Sequence, residues 1–341
     1  MQPMLIDTTL RMDLATAAES AQRAEAAGYD GIWTAETSHD PFFPLVLGAP
    51  ATSTITLGTS IAVAFARNPM LLANIGWDLQ NLSEGRFVLG LGSQIKPHIT
   101  KRFSMEWSKP AARMREMVLA VRAIWDSWDD GSKLDFRGDF YTHTLMTPFF
   151  NPGPNPHGQP KIMIAAVGPL MTEVAGEVCD GLFAHPFTTP EFVKDVTVPA
   201  IEAGRAKGGR AGDDFELMVP AFIVTGSDED EMAKVRHAVC GQISFYGSTP
   251  AYKPVLDHHD MGELQPELNR LSKAGEWGEM AKMITDDVLN VFAVVAEPGD
   301  VAGKVVERYG QSAQRISFNT MSQMQPGFWE PIMSDIKAAT A

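Results

Sequence analysis

Short apolar, β-branched runs alternate along the chain with longer stretches whose apolar positions recur every three to four residues. The first period is that of a strand and the second that of an amphipathic helix. Met4–Asp7 is apolar and ends on a carboxylate. Asp13 is placed to cap a helix from Leu14 to Ala27, which Gly28 stops. Gly31–Ala35 and Ile55–Ala64 read as the next two strands. Asn68 and Pro69 then open a helix to about Leu82, and Arg86–Leu91 is a fourth strand. Pro110 opens a helix with Met114, Met117, Val118, Val121, Ile124, Trp125 and Trp128 on one stripe.

The rhythm resumes with strands at Lys161–Ala165, Gly181–Ala184, Glu216–Val224 and Arg315–Asn319. Helices start at Pro169, at Pro190 behind Thr189, at Pro298, and behind Ser227. The last of these carries Asp228, Glu229, Asp230 and Glu231 in its first turn, where they complement the helix dipole. Sustained alternation predicts parallel strands, because each helix must return the chain to the same edge. Eight such units predict a closed (β/α)8 TIM barrel, a fold needing roughly 250 residues. About 90 residues are then spare. Two stretches absorb them as rim insertions after strands four and seven. Asp129–Pro160 is rich in Pro, Gly and Asn around a strand-like Tyr/Phe segment. Phe245–Val288 is an irregular or helical excursion. No Ser/Gly linker appears, so one domain over residues 1–341 is expected, and long rim loops are where function gathers.

Composition narrows the class. The 341 residues are 45% hydrophobic and 21% charged, ordinary for a globular chain. No apolar run is long enough to span a bilayer. No basic-then-apolar leader is present, since Met1–Leu10 reads as a strand. Cys179 and Cys240 stand alone, which points to a reducing, cytoplasmic setting and not to a disulfide framework. A formal charge of −14 disfavours nucleic acid and anionic membrane as partners. The charge says nothing specific about a small-molecule substrate.

In a barrel, chemistry sits where strands end and loops begin. Those points hold Asp7, Glu36 with His39 and Asp40, Ser60 and Ile61, Gly92 with Gln94 and His98, the run Ala165–Pro169, and His185. Each has a plainer reading. Asp7 can serve as a buried hydrogen-bond acceptor. His39 and Asp40, before Pro41, can shape a turn. His185 can be a satisfied core histidine. His258-His259-Asp260 looks metal-like but lacks ligand spacing and reads as a solvated loop. No HExxH, CxxC or acidic–histidine cluster calls for a metal, and no GxSxG calls for a serine hydrolase. Gly90-Leu91-Gly92-Ser93-Gln94-Ile95 begins like a dinucleotide fingerprint but lacks its third glycine and a following acid. The Ala165–Pro169 turn fits a phosphate better. Its small residues allow close approach, and a helix N-terminus follows at once.

Several strings, in order, resemble the luciferase-like monooxygenase superfamily, and within it the branch using the deazaflavin coenzyme F420. They are Ala24–Trp33, Ile55–Ile61 with Arg67-Asn68-Pro69, Leu82–Gly92, Ala165–Pro169, and Val174–Glu177 with Cys179-Asp180-Gly181, which together span nearly the whole chain. The resemblance implies a (β/α)8 barrel, commonly a homodimer. It places the cofactor ring over the end of the third strand, where relatives have a non-proline cis peptide; the matching bond is Ser60–Ile61. It places the cofactor phosphate at Val167, Gly168 and the helix from Pro169, so that Asp7, Ser60, Ile61, Gly92, Gln94, His98, Ala165, Ala166, Val167, Gly168, Pro169 and Met171 are the cofactor-binding candidates. The segment Glu36–His39 matches a loop that carries a pocket acid or base, though the relatives' Asp-His pair is not reproduced at the same offset. His39, Glu36, His98 and His185 are therefore the candidates for proton transfer.

The implied reaction is hydride transfer between C5 of the deazaflavin and a small organic substrate, with the protein supplying orientation and water exclusion. Two alternatives stand beside it. One is an FMN-dependent monooxygenase using dioxygen on the same barrel. The other is a flavin- or deazaflavin-binding protein without turnover, against which three retained strand-end histidines argue. The insertion Phe245–Val288, with Tyr246, Tyr252 and Trp277, is either a lid or a packing subdomain.

Overall fold

In a computed structural model, residues 3–10, 12–212, 214–319, 321–322 and 324–341 are described. Met1 and Gln2 of the expected opening strand lie outside them. In chain order, β1 (Leu5–Thr9) leads to α1 (Ala17–Ala26) and β2 (Gly31–Thr34) to α2 (Phe42–Gly48). Next, β3 (Thr56–Thr59) and β4 (Ala62–Val63) precede α3 (Pro69–Leu82), and β5 (Phe87–Gly92) precedes α4 (Pro110–Asp130). The Tyr/Phe segment of the first insertion is a short antiparallel ladder of β6 (Phe136–Arg137) and β7 (Thr142–His143). The chain continues with β8 (Lys161–Ala166), α5 (Pro169–Val178), β9 (Gly181–Ala184), α6 (Pro190–Phe192) and α7 (Val198–Lys207). After β10 (Glu216–Val224) come α8 (Glu229–Gly247), α9 (Lys253–Asp257), α10 (Leu264–Ala274), α11 (Trp277–Lys282) and α12 (Asp286–Phe292). The described chain ends with β11 (Ala293–Val295), α13 (Pro298–Tyr309), β12 (Arg315–Asn319) and α14 (Trp329–Thr340).

The main sheet runs β11-β10-β12-β1-β2-β3-β5-β8-β9, and β10 also pairs with β9. That extra pairing closes the sheet, so the fold is the expected (β/α)8 barrel. Ten strands fill eight positions because two positions are shared. β3 and β4 both pair with β5, at Leu57↔Phe87 and at Ala62↔Leu91. β12 pairs with Met218–Phe222 of β10, and β11 takes over from Phe222 to Val224.

Three local expectations change. Asp13 does not cap α1. Its carboxylate takes the Ala15 N–H and the Thr16 hydroxyl in a preceding turn, and the helix starts at Ala17. Ile55–Ala64 is not one strand but two, parted at Ser60–Ile61. At α8 the cap is Asp228, which accepts from Glu231 N–H, while the Ser227 hydroxyl and N–H donate back to the Glu231 carboxylate. Other signals hold. Asn68 caps α3, Gly28 has a φ of +90°, and the whole α4 stripe is buried. Trp125 from that stripe reaches the Ala73 carbonyl across Gly76, whose missing Cβ would lie 2.8 Å from the indole.

The chain divides into two compact units. One runs from Thr8 to Phe183 with Ala200–Glu216. The other holds the stretch ending at Asp7, Ala184–Pro199 and Leu217–Ala341. The first is built on β5, buried along its length, and on the α3–α4 tryptophans. The second packs Phe187, Phe222 and Phe292 with the apolar face of α8. Within it, the Phe245–Val288 excursion is helical, and α10 and α11 lie against α8. Both cysteines are free and buried, and no helix of the described residues is long and apolar enough to cross a membrane.

Candidate active site

Register brings the carboxyl ends of four strands of the first unit to one edge. Ala62 pairs with Leu91 and Leu91 with Ile164, so Ser60–Ile61, Gly92–Gln94 and Ala165–Val167 end on the same side of the sheet. β2 joins them through Thr34↔Thr59.

The Ser60–Ile61 peptide bond is cis, as the resemblance implies for it. It is held from both sides: Ser60 N–H donates to the Thr34 carbonyl at 2.7 Å, and Glu36 N–H donates to the Ile61 carbonyl at 3.0 Å. Two glycines of β5 make room for this bend. A Cβ on Gly90 would sit 1.6 Å from the Thr59 carbonyl oxygen, and one on Gly92 would sit 2.7 Å from the Ile61 side chain. Thr59 and Gly90 also exchange hydrogen bonds, with the Thr59 hydroxyl donating at 2.6 Å and the Gly90 N–H at 3.0 Å. The glycine pair that imitates a dinucleotide fingerprint thus lies within the strand and serves strand approach.

Beside the bend lies an ion-paired cluster. Glu36 is buried, and its Oε2 accepts from Val63 N–H at 2.7 Å and from Arg67 at 2.5 Å. Arg67 also donates to Asp40 at 2.8 Å, and Asp40 accepts from Phe42 N–H at 2.9 Å. Asp40 therefore shapes the turn into α2, and Glu36 is engaged as a carboxylate. The strand-end pattern does not single out Arg67; the signal for its role is the pair of carboxylates, Glu36 and Asp40, that follows strand two. His39 is exposed between Glu36 and Asp40. His98 is exposed as well, at the start of a single wide helical turn, His98–Arg102. Arg102 of that turn donates to the Thr37 carbonyl, which ties the two histidine-bearing loops together. Gln94 has a φ of +58°, and its side chain accepts from Ile95 N–H at 3.3 Å.

β8 ends in half-buried Ala165, buried Ala166 and Val167, which is 43% exposed. Gly168 is the N-cap of α5. No side chain caps the helix, and the space around a Cβ at Gly168 is open. The Gly168 carbonyl takes Thr172 N–H and hydroxyl, which leaves Leu170 and Met171 N–H directed out of the first turn behind Pro169.

Asp7 and His185 belong to the second unit. Asp7 is buried and makes a bidentate pair with Arg315, at 2.7 and 2.8 Å, which accounts for both of its oxygens. His185 follows β9, and its Nδ1 accepts from Phe187 N–H at 3.0 Å. Its ring stacks on Tyr252 and meets Tyr246 edge-on. His258 and His259 turn to separate partners, Asp195 and Thr189.

A family model described as luciferase-like monooxygenase matches residues 2–315. The chain belongs to that family. This luciferase-like protein is 53% identical over 303 residues to an uncharacterized protein of Mycobacterium tuberculosis, with 89% of each chain covered. It is 28% identical over 312 residues to the F420-dependent glucose-6-phosphate dehydrogenase of Intrasporangium calvum, covering 84% of this chain and 90% of the other. Among solved structures, the coenzyme F420 dependent tetrahydromethanopterin reductase of Methanopyrus kandleri superposes with a TM-score of 0.77. Identity there is 19%, with 99% and 98% of the two chains covered. That likeness bears on fold.

Proposed function

We propose that this luciferase-like protein is a coenzyme F420-dependent oxidoreductase acting on a small organic substrate. The observation that carries the reading is the shared edge of β3, β5 and β8, where a braced bend and an uncapped helix start stand in register. The residues fit the group. Ser60, Ile61 and Gly92 are the residues assigned to a platform for the ring, where Gly92 makes room for the Ile61 side chain. Ala165, Ala166 and Gly168 leave room for close approach, and the Val167–Met171 turn offers N–H donors and the positive end of a helix to a phosphate. Gln94 and His98 flank the same edge, and Pro169 fixes the helix start. When bound, F420 supplies a hydride donor or acceptor carbon, C5. The chain's own tasks are to orient that carbon, exclude water and move the compensating proton. His39 and His98, both exposed at this edge, are the groups assigned the proton. Glu36 is assigned to holding the loop, because Arg67 and Val63 already engage its carboxylate. A relative over most of the chain carries F420 dependence in its name, and so does a solved neighbour, while their substrates differ. We take the enzyme to be cytoplasmic and homodimeric, the latter measurable by sedimentation.

The deciding experiment is anaerobic equilibration of the protein with F420 and with FMN. Binding of F420, with substrate-dependent bleaching or recovery of its absorbance and no oxygen uptake, is expected. Oxygen consumption with reduced FMN would make it a monooxygenase instead. Binding without turnover across a panel of alcohols, aldehydes and enones would make it a carrier.

A further inference from the structure

On its way from α4 to β8 the first insertion crosses α3, where the Trp77 indole donates to the Gly153 carbonyl at 3.2 Å. A cavity of about 310 Å³ opens there. Asn74, Trp77 and Asp78 of α3, Trp128 of α4, and Phe149 and Phe150 of the insertion line it. All six belong to the unit that runs from Thr8 to Phe183. α4 leads from the carboxyl end of β5 back towards the start of β8, so its last turn, with Trp128, lies at the amino ends of the strands, opposite the proposed cofactor edge. Four rings supply the walls. Trp77 and Trp128 are buried and meet edge-on, 5.5 Å apart at 67°. Phe149 and Phe150 also meet edge-on, 5.2 Å apart at 88°, yet they are 89% and 70% exposed. Neither indole has an N–H to offer a ligand, since Trp77 gives its own to Gly153 and Trp128 to the Met146 sulfur at 3.4 Å.

The charge around the cavity has one sign. Asp78 is the one charged residue of α3, and among the described residues its exposed carboxylate has no hydrogen-bond or ion-pair partner. α4 carries Asp126, Asp129 and Asp130 at its carboxyl end, where the helix dipole favours cations, and has no basic residue in its last turn. Neutral groups hold these acids: the Gln159 side chain for Asp126 and Asp129, Asn155 N–H for Asp129, and Ser132 N–H for Asp130. Among the described residues, no lysine, arginine or histidine lines the cavity. Ring faces beside an unneutralised carboxylate attract a cation and repel an anion. A metal ion needs more oxygens than this lining has, and no group of three His, Cys, Asp or Glu side chains among the described residues could hold one. A primary ammonium brings three N–H donors, more than one carboxylate and one amide satisfy; a quaternary ammonium brings none. The volume lies at the small end of ligand cavities, about 300–1,000 Å³.

We propose that this cavity binds a small quaternary ammonium ion, with the methylated nitrogen against the rings of Trp77, Trp128, Phe149 and Phe150 and its charge facing Asp78. The site stands apart from the cofactor edge and does not depend on the oxidoreductase reading.

The test uses the full chain and three probes of one shape and three charges: choline, 3,3-dimethylbutan-1-ol and 3,3-dimethylbutanoate. Affinity is read by calorimetry, and the place of binding by nitrogen-15 NMR of the indole N–H groups. Choline should bind at least about tenfold more tightly than the neutral alcohol, with the carboxylate weakest, and should shift the Trp77 and Trp128 signals. Asp78→Asn should weaken choline about fivefold and Phe149→Leu about threefold. Both side chains are exposed, so both variants should melt with the wild type. Equal binding of choline and the alcohol overturns the proposal, as does no choline binding up to about 10 mM. Indole shifts confined to other tryptophans, or full choline affinity in either variant, overturn it as well.

Discussion

At the scale of single residues, the barrel edge depends on side chains that are missing. Gly90 and Gly92 differ in what a Cβ would meet. At position 90 it meets the Thr59 backbone at 1.6 Å, which cannot yield without parting β3 from β5. At position 92 it meets the movable end of Ile61 at 2.7 Å. Gly92→Ala should therefore fold with a loss of about 1–2 kcal/mol, while displacing Ile61 and weakening F420 about tenfold. Gly90→Ala should lose about 3 kcal/mol or more. Thermal unfolding and equilibrium cofactor titration separate the two effects, and wild-type affinity in Gly92→Ala would remove Ile61 from the cofactor platform. The two glycines were visible in the sequence, but their purpose was not. Alternate glycines in a strand look alike whether they serve a phosphate or a neighbouring carbonyl, and only the pairing partner decides.

At the scale of elements, helix ends carry the argument. Gly168 has an extended φ of −100°, open surroundings and no cap to displace, so an aspartate fits there sterically. Gly168→Asp should cap α5 and leave stability unchanged or raised by up to about 1 kcal/mol. It should also place a negative charge where the cofactor phosphate is proposed to lie, weakening F420 at least about tenfold. Undiminished binding, measured beside the melting temperature, would move the phosphate elsewhere. A second element-scale test is Glu25, near the end of α1. Burial raises its pKa, but N–H donors from Thr54, Ile55 and Ser53 outweigh that and bring it down to about 2. A depressed folded pKa stabilises above the unfolded value and loses that stabilisation as pH falls. Glu25→Gln should cost about 1–2 kcal/mol at pH 7, and the gap should close between about pH 4.5 and 2. Urea unfolding across that range reads it directly. Elements were largely legible, since Pro69, Pro110, Pro169 and Pro298 mark helix starts by ring geometry alone. The starts that misled were those chosen among adjacent cap-forming residues. Asp13 and Thr16, like Ser227 and Asp228, both carry side-chain oxygens able to cap, and the sequence alone does not say at which of them the helix begins.

At the scale of the whole chain, alternation alone conveyed the barrel, because eight βα units leave few other topologies. What it could not convey was which long-range pairs close the sheet. Asp7 was singled out as a strand-end carboxylate, with a hydrogen-bond acceptor as its plainer reading. Its Arg315 partner stands 308 residues away, beyond the reach of any local pattern. β1 and β12 align Leu5 with Arg315 and Asp7 with Ser317, so the pair crosses between adjacent strands with both groups buried. The two readings of Asp7 separate by experiment. If the pair is architectural, Asp7→Asn leaves the Arg315 cation without its carboxylate and should destabilise the protein by about 3–5 kcal/mol. Replacing both groups, Asp7→Leu with Arg315→Met, should recover most of that loss, since a buried pair repays its own desolvation poorly. F420 affinity of the folded double variant should then match the wild type. A double variant that regains stability yet fails to bind F420 would return Asp7 to the cofactor site.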